Sequence, residues 1–178
     1  MAGPNDGSRS LFESVMAPEV IRALQDWQAN GGRGVVIGGV ALSYYAKPRY
    51  TQDVDVLLMT DSEIPDNVDG FRHNRQHAFE HKATGVEVEI VTPEHVAPKL
   101  TVETAKKVIE TSIVSNGINI ASASGIVALK LVRASAQDKA DIIALIKTGQ
   151  IIDISGFNLS QDQIQKYVGL IEDAESEL

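Results

Sequence analysis

The stretch VIGGVALSYYAKPRYTQDVDVLL, residues 36–58, decides the fold of this chain. An apolar run meets the pair Gly38-Gly39, a small-residue segment follows, and two aspartates one residue apart open a second apolar run. Because side chains two residues apart on a strand share a face, Asp53 and Asp55 project together while their apolar neighbours point to the other side. Aspartates are depleted in strands, so the pair indicates either a solvent-facing edge or a site that uses carboxylates.

A second pair of carboxylates lies downstream, in the run GVEVEIV. Glu87 and Glu89 alternate with apolar residues, so they share the polar face of a predicted strand over residues 86–91. Carboxylates side by side raise each other's pKa unless a cation lies between them, and Mg²⁺ prefers one or two carboxylates together with substrate phosphates. If this strand pairs beside residues 54–59, a third acidic ligand reaches the same ions. The alternative is that both acidic faces are simply exposed to solvent.

The glycine pair joins a predicted buried strand, Val35–Ile37, to a predicted short helix over residues 40–46. Glycines let the backbone approach a ligand closely, and the amides at a helix N-terminus favour phosphate. The default interpretation of such a pair is a structural turn. The chain contains no Gly-Lys-Ser/Thr loop, and no third glycine completes the dinucleotide fingerprint, so neither of those phosphate motifs is present.

Composition restricts the class of protein. The chain has 178 residues, 43% of them apolar, with no cysteine and a formal net charge of −8. That length suits one domain with its own core, and the negative charge argues against a broad nucleic-acid footprint. The lack of cysteine excludes disulfides and thiolate metal sites. No apolar run reaches the length of a membrane span and no signal-peptide pattern opens the sequence, so we expect a cytoplasmic protein without membrane contact.

The remaining pattern predicts a mixed α+β fold in which a small mixed sheet is flanked by helices and followed by a helical part. Predicted strands cover residues 35–37, 54–59, 76–82 and 86–91, and predicted helices cover 11–29, 40–46, 125–135, 137–148 and 162–178. A hairpin is predicted at Asn116-Gly117, either Ser122 or Ser124 caps the helix that follows, and Ser160 caps the last one. The predicted organisation is a disordered N-terminus at 1–10, a core at 11–121 and a helical C-terminal subdomain at 122–178 packed on the core.

The order of these motifs resembles a known family. A Gly-Gly pair, then the run Arg49-x-Thr51-x-Asp53-x-Asp55, then an acidic residue on a later strand is similar to the minimal nucleotidyltransferase superfamily, which has the polymerase-beta-like fold. The spacing looks most like the branch that contains abortive-infection toxins and their uncharacterised relatives. The resemblance covers roughly residues 34–147.

A later segment extends the resemblance. That branch tends to carry a lysine on a later helix, followed by a Lys/Arg…Asp-x-x-Asp pattern, and the segment ALKLVRASAQDKADIIAL matches it with Lys130, Arg133, Asp138 and Asp141. Asp138 is expected to be either a base acting on the acceptor or an exposed helical aspartate. Arg offers phosphate a bidentate fork, whereas Lys offers a point charge.

The resemblance implies a nucleotidyltransferase that uses Mg²⁺ or Mn²⁺ and moves a nucleoside monophosphate from an NTP to an acceptor hydroxyl. The acceptor would be RNA such as tRNA, a protein or a small molecule. The implied catalytic and metal-binding residues are Asp53, Asp55 and Glu89, and the implied nucleotide-binding residues are Gly38, Gly39, Arg49, Thr51 and Lys130. Glu89 is preferred to Glu87 because it keeps the apolar frame of the family motif, although most members carry Asp at that point.

Several alternatives stay open at the level of sequence. A toxin of this kind would be expected to have an antitoxin partner. A catalytically inactive nucleotide-binding or protein-interaction domain could keep the same scaffold, and a structural domain could carry the same acidic strands facing water. Three histidines spaced by four, His73, His77 and His81, read as strand residues about 13 Å apart, so they are not expected to share a metal ion.

Overall fold

The structure, a computed structural model, describes residues 17–46 and 53–177. Its strands are β1 Val35–Ile37, β2 Val54–Leu57, β3 Phe71–Arg75, β4 Ala78–His81, β5 Glu87–Val91, β6 Ile113–Ser115 and β7 Ile118–Ile120. Its helices are α1 Pro18–Ala29, α2 Gly38–Tyr45, α3 Val102–Glu110, α4 Ala123–Arg133, α5 Ala136–Lys147 and α6 Gln161–Ser176. The predicted α+β class, with a mixed sheet, flanking helices and a helical C-terminal region, is confirmed.

Some predictions fall on residues outside the described ranges. They are the disordered N-terminus at 1–10, the part of the first predicted helix before residue 17, and the nucleotide-binding residues Arg49 and Thr51. Pro18 stands at the first turn of α1, where its missing N–H costs no hydrogen bond. None of the helices in the described part of the chain has the length and apolar character needed to cross a membrane.

The sheet places β2 between β1 and β5. Its strand order is β3-β4-β5-β2-β1-β7-β6. The pairs β2–β5 and β1–β7 are parallel, and the other four pairs are antiparallel. The two acidic strands, whose pairing the sequence analysis left as a condition, are neighbours in the sheet, with Asp55 opposite Glu89 in register. On the other side of β2, Asp55 lies opposite Ile37, the last residue of β1.

Alternation along β2 and β5 separates a buried face from a polar one. Val54, Val56, Val88 and Ile90 are at most 1% exposed, whereas the acidic residues between them are only half-buried. The apolar face packs into one cluster with side chains from β1, α1, α2 and the late helix α4. Each fully buried aliphatic side chain of this kind contributes about 1.5–3 kcal/mol, so this face holds the sheet while the opposite face is left for charges.

Two elements, strand β3 and helix α3, were not predicted from the sequence. Strand β3 buries only Phe71 and otherwise carries exposed polar residues. It is held as an edge strand by Trp27, whose ring meets Phe71 edge-on at 5.3 Å. Helix α3 begins at a cap in which Thr101 accepts a hydrogen bond from the amide of Thr104, and it buries only small side chains.

The three histidines occupy separate environments. The ring of His73 stacks on Phe79 with centroids 4.1 Å apart. His77 lies between β3 and β4, not inside a strand as predicted, and its Nε2 is 2.9 Å from Asp61. His81 is buried, with Nε2 at 2.7 Å from Asp26 and Nδ1 at 2.6 Å from a threonine hydroxyl. His77 and His81 thus connect the hairpin of β3 and β4 to Asp61 and Asp26, which lie outside it.

The hairpin of β6 and β7 and the N-caps of α4 and α6 lie where the sequence predicts them. Asn116 and Gly117 both have positive φ, 51° and 77°, as a two-residue type I′ turn requires. The choice of cap for α4 is resolved: the Ser122 hydroxyl accepts from the amide of Gly125 at 3.0 Å. Ser124 instead accepts from the amide of Asp153 in a later loop. Ser160 caps α6 in a capping box, as predicted.

We expect Ser122→Ala to lower the free energy of unfolding by about 1 kcal/mol, because it removes the N-cap of a helix that lies against the sheet. Ser124→Ala is the matched control, since its hydroxyl bonds only one exposed loop amide. Urea unfolding followed by circular dichroism measures both. An effect of Ser124→Ala equal to that of Ser122→Ala would contradict the assignment of the cap.

Candidate functional site

Asp55 and Glu89 lie side by side at one end of a cavity of about 340 Å³. They are Cα partners on neighbouring parallel strands, so both side chains project from the same polar face of the sheet. The other charged residues that line the cavity are Lys99, Lys130, Arg133 and Asp138. Its apolar walls are Ile37, Val91, Val96, Leu100, Ile126, Leu129 and Val132. A volume of this size falls in the range of small-ligand sites.

The environment of Asp55 opposes its negative charge. Burial, the charge of Glu89 and the charge of Asp53 together raise the pKa of Asp55 from 3.8 to about 6, against the lowering effect of Arg133 and Lys130. A carboxylate that is desolvated beside another carboxylate is the arrangement that a bound cation would relieve. The nearby cations only partly balance it, because the pKa stays raised.

Gly38 leaves room for the carboxylate of Asp55. Its φ is +69°, and a Cβ built on it would lie 2.5 Å from Oδ2 of Asp55. Any other residue would therefore push the carboxylate away and strain the backbone. Gly39 behaves differently: it is half-buried inside α2, its carbonyl accepts a hydrogen bond from Ser43, and it is not among the residues that line the cavity. Of the two predicted glycines, Gly38 is the one that faces the cavity.

The carboxylates fit a hard cation that takes part of its shell from a ligand. Asp55 and Glu89 offer adjacent oxygen donors, the ligand type that Mg²⁺ prefers, and Mg²⁺ commonly binds one or two carboxylates plus substrate phosphates. Asp53, the third predicted ligand, is exposed just before β2 and does not line the cavity, although its charge acts on Asp55. Within residues 17–46 and 53–177, no three His, Asp or Glu side chains are arranged to hold a metal.

The structure separates the two glutamates of β5. Glu89 lies in the cavity wall, whereas Glu87 is outside it and forms an ion pair with Arg75 at 2.9 Å. The assignment of Glu89, and not Glu87, as the third carboxylate stays a prediction from the apolar frame around it. Glu87 lies on the same strand and the same face as Glu89, but its ion-pair partner is on β3, at the edge of the sheet. Substitution of Glu87 is therefore a suitable control for substitution of a cavity carboxylate.

A buried ionic cluster forms the wall opposite the sheet. Lys130, on α4, is 5% exposed, and its ammonium contacts Asp141 at 2.7 Å and Asp138 at 3.4 Å. The guanidinium of Arg133 binds Asp138 with two hydrogen bonds, 2.7 and 2.8 Å long. The lysine predicted to bind nucleotide therefore borders the cavity, but its charge is already committed to two aspartates of α5.

The sequence left two alternatives for Asp138, a base acting on the acceptor or an exposed helical aspartate, and the second is wrong. It is 1% exposed, and it caps α5 in a capping box with Ser135. Burial alone would raise its pKa, but the hydrogen bonds from Arg133 and Ser135 outweigh burial and hold the pKa of Asp138 below its usual range. The same pairing with Asp138 raises the pKa of Arg133. A carboxylate stabilised in this way is poorly suited to act as a base.

No known protein family matches the sequence, and no curated protein matches it significantly. The likeness to minimal nucleotidyltransferases thus stays a prediction from the motifs. The structure adds one charged cavity residue that the motifs did not indicate, Lys99, which lies in the loop before α3. The segment PEHVAPKL around it carries no periodicity or motif, so only the fold could show that it reaches the site.

We expect Lys130→Met to lower the free energy of unfolding by about 3 kcal/mol, because it leaves buried aspartates without their ammonium partner. Lys139→Met is the control, since Lys139 is an exposed lysine on α5. Chemical unfolding of both variants at neutral pH checks this. A loss no larger than that of the control would show that the cluster does not depend on Lys130.

We expect Asp55→Asn to stabilise the metal-free protein. The folded-state pKa of about 6 lies above the ordinary 3.8, so the native state binds more protons between these values and its stability falls as pH rises through them. Above pH 6 the charged carboxylate costs stability, and removing it should raise the free energy of unfolding by about 1–3 kcal/mol.

The measurement is thermal unfolding in EDTA from pH 4 to 8, with Glu87→Gln as the control on the neighbouring strand. The wild type should lose stability between pH 4 and 6 more steeply than Asp55→Asn, while Glu87→Gln follows the wild type. If Asp55→Asn were less stable than wild type at pH 7.5, the carboxylate would instead be contributing to the fold.

Proposed function

We propose that this protein is a Mg²⁺-dependent nucleotidyltransferase that moves a nucleoside monophosphate from an NTP to an acceptor hydroxyl. The observation that carries the proposal is the pairing of Asp55 with Glu89 at one end of a cavity whose other charged lining is mostly basic. An acidic pair suits a divalent cation, and cationic walls suit the phosphates that such a cation accompanies. The motif order that resembles minimal nucleotidyltransferases supports the same assignment.

In this proposal Asp55 and Glu89 hold the ion, with Asp53 close enough to add to their negative field. When bound, Mg²⁺ would supply positive charge that offsets the negative charge developing on the phosphates during transfer. The acceptor oxygen forms a bond to the α-phosphorus as the bond from that phosphorus to its bridging oxygen breaks, and pyrophosphate leaves. The acceptor proton passes to solvent water, because Asp55 and Glu89 hold the ion and Asp138 is held ionised and hydrogen-bonded by its neighbours.

The basic wall has a positioning function. Asp138 uses both of its oxygens to hold the guanidinium of Arg133 in a fixed plane. An arginine oriented in this way still has N–H groups that are not used by Asp138, and these can donate to phosphate. Gly38 keeps the start of α2 close to Asp55 without a side chain in between. The acceptor, whether RNA such as tRNA, a protein or a small molecule, and an antitoxin partner belong to the proposal as well.

A second candidate function is nucleotide binding without transfer. It is favoured by the position of Asp53, which is outside the cavity wall although the resemblance makes it a metal ligand. A two-carboxylate site can bind a metal–nucleotide complex, whereas two-metal transfer chemistry needs several bridging oxygens. Calorimetric titration of the four NTPs, with and without Mg²⁺, together with a transfer assay, separates the two functions.

We expect Asp55→Asn and Glu89→Gln each to lower transfer by roughly a hundredfold or more, comparable with losing a group that stabilises transition-state charge. Glu87→Gln should retain wild-type transfer, because it lies on the same strand outside the cavity. The assay incubates each variant with each α-labelled NTP, Mg²⁺ or Mn²⁺, and total RNA or cell lysate, and circular dichroism confirms folding.

The outcomes discriminate between the candidates. Equal labelling by Asp55→Asn and wild type would refute the assigned site. Metal-dependent NTP binding by wild type without any labelled acceptor would favour binding without transfer, and no metal-dependent binding would exclude both. Growth arrest on expression of wild type, but not of Asp55→Asn, would support a toxin-like function.

A further inference from the structure

Among the described residues, three cations line the cavity, and aspartates pair with two of them. Lys130 contacts Asp141 and Asp138, and Arg133 binds Asp138 with two hydrogen bonds. Lys99 differs, since its ammonium has no ion pair or side-chain hydrogen bond with any residue in the described part of the chain. Of the cavity cations among the described residues, Lys99 is therefore the one whose charge is not paired with an aspartate.

The fold holds the backbone of Lys99 in place while leaving its side chain exposed. The loop after β5 starts at Thr92, which is fully buried and whose hydroxyl donates to Asp61 at 2.6 Å. Two turns follow, in which the amide of Val96 bonds the carbonyl of Thr92 and the amide of Lys99 bonds the carbonyl of Val96. Leu100, the next residue, is buried. A lysine whose backbone is anchored in this way is positioned by the core even though its side chain is exposed.

The position of Lys99 complements that of the acidic pair. Arg133 and Lys130 on α4 both act on the pKa of Asp55, so their charges lie near the carboxylates. Lys99 comes instead from the loop that follows β5. The cavity wall thus carries an acidic pair from the sheet and, from this loop, a lysine without an ion pair among the described residues.

We propose that Lys99 binds the phosphate chain of a nucleoside triphosphate, beyond the phosphate held at Asp55 and Glu89. This inference rests on the proposed function and assigns a residue that contacts the polyphosphate chain of its NTP substrate. Lysine is a point-charge binder of phosphate oxygens. One more phosphate contact at Lys99 would make the protein prefer triphosphates over monophosphates of the same base.

The test compares wild type with Lys99→Met, Lys99→Arg and the control Lys106→Met, an exposed lysine on the adjacent α3 that pairs only with Glu110. Calorimetry in Mg²⁺ measures affinity for each NTP and its NMP, and thermal unfolding checks that the variants keep wild-type stability. We expect Lys99→Met to weaken triphosphate binding roughly tenfold, the size of one charge-assisted hydrogen bond. Monophosphate binding should not change, so the triphosphate-to-monophosphate preference falls by the same factor.

Lys99→Arg should keep the preference and Lys106→Met should match wild type. If wild type prefers triphosphates and Lys99→Met keeps that preference in full, the assignment of Lys99 is overturned while the proposed function stands. Equal weakening of triphosphates and monophosphates would also overturn it, because Lys99 would then not act on the phosphate chain. If wild type binds no nucleotide with any base in Mg²⁺, the proposed function fails and this inference fails with it.

Discussion

The parallel pairing of β2 with β5 is the constraint on which the rest of the site depends, because it places Asp55 directly beside Glu89. Two carboxylates in that arrangement, one of them largely desolvated, are unfavourable without a cation. The surrounding sequence adapts to them. Gly38 has no side chain where a Cβ would meet Asp55, and α4 directs its two basic residues toward the same cavity. The polar face is thus organised around a charge that the sheet alone does not stabilise.

Helices α4 and α5 bury a cluster of charged side chains beside the acidic pair, and this burial has a desolvation cost. Burying Lys130 with Asp138 and Asp141 desolvates three charged groups, and such clusters add little net stability compared with apolar packing. Their effect is on geometry, since any rearrangement that leaves one member unpaired and buried is strongly penalised. The turn between α4 and α5 therefore holds Arg133 against Asp138 in one orientation. We infer that the cluster is kept because it positions a guanidinium at the cavity.

Sequence periodicity could predict the acidic end of the site but not the basic end. Alternation by two residues shows which strand residues share a face, so it predicted that Asp55 and Glu89 lie on polar strand faces. Their contact depends on the pairing of β2 with β5, which only the structure shows. On a helix, the same reasoning does not say which element covers a polar residue, and Asp138 is fully buried because α4 packs across it. Lys99 carried no signal at all, since a loop residue reaches a cavity only through the path of the whole chain.

Two sets of charges in the cavity have no ion-pair partner among the described residues. One is the acidic pair on the sheet, and the other is Lys99 on the loop. A simple anion would satisfy only the lysine, and a simple cation only the carboxylates. A ligand that carries a divalent cation on one part and negative phosphates along its length satisfies both, and it does so without disturbing the pairs of Lys130 and Arg133. The presence of both an acidic pair and a lysine without ion-pair partners favours a metal–polyphosphate over a neutral or purely anionic ligand. It also accounts for a fold that retains a destabilising carboxylate, because function commonly retains residues that reduce stability.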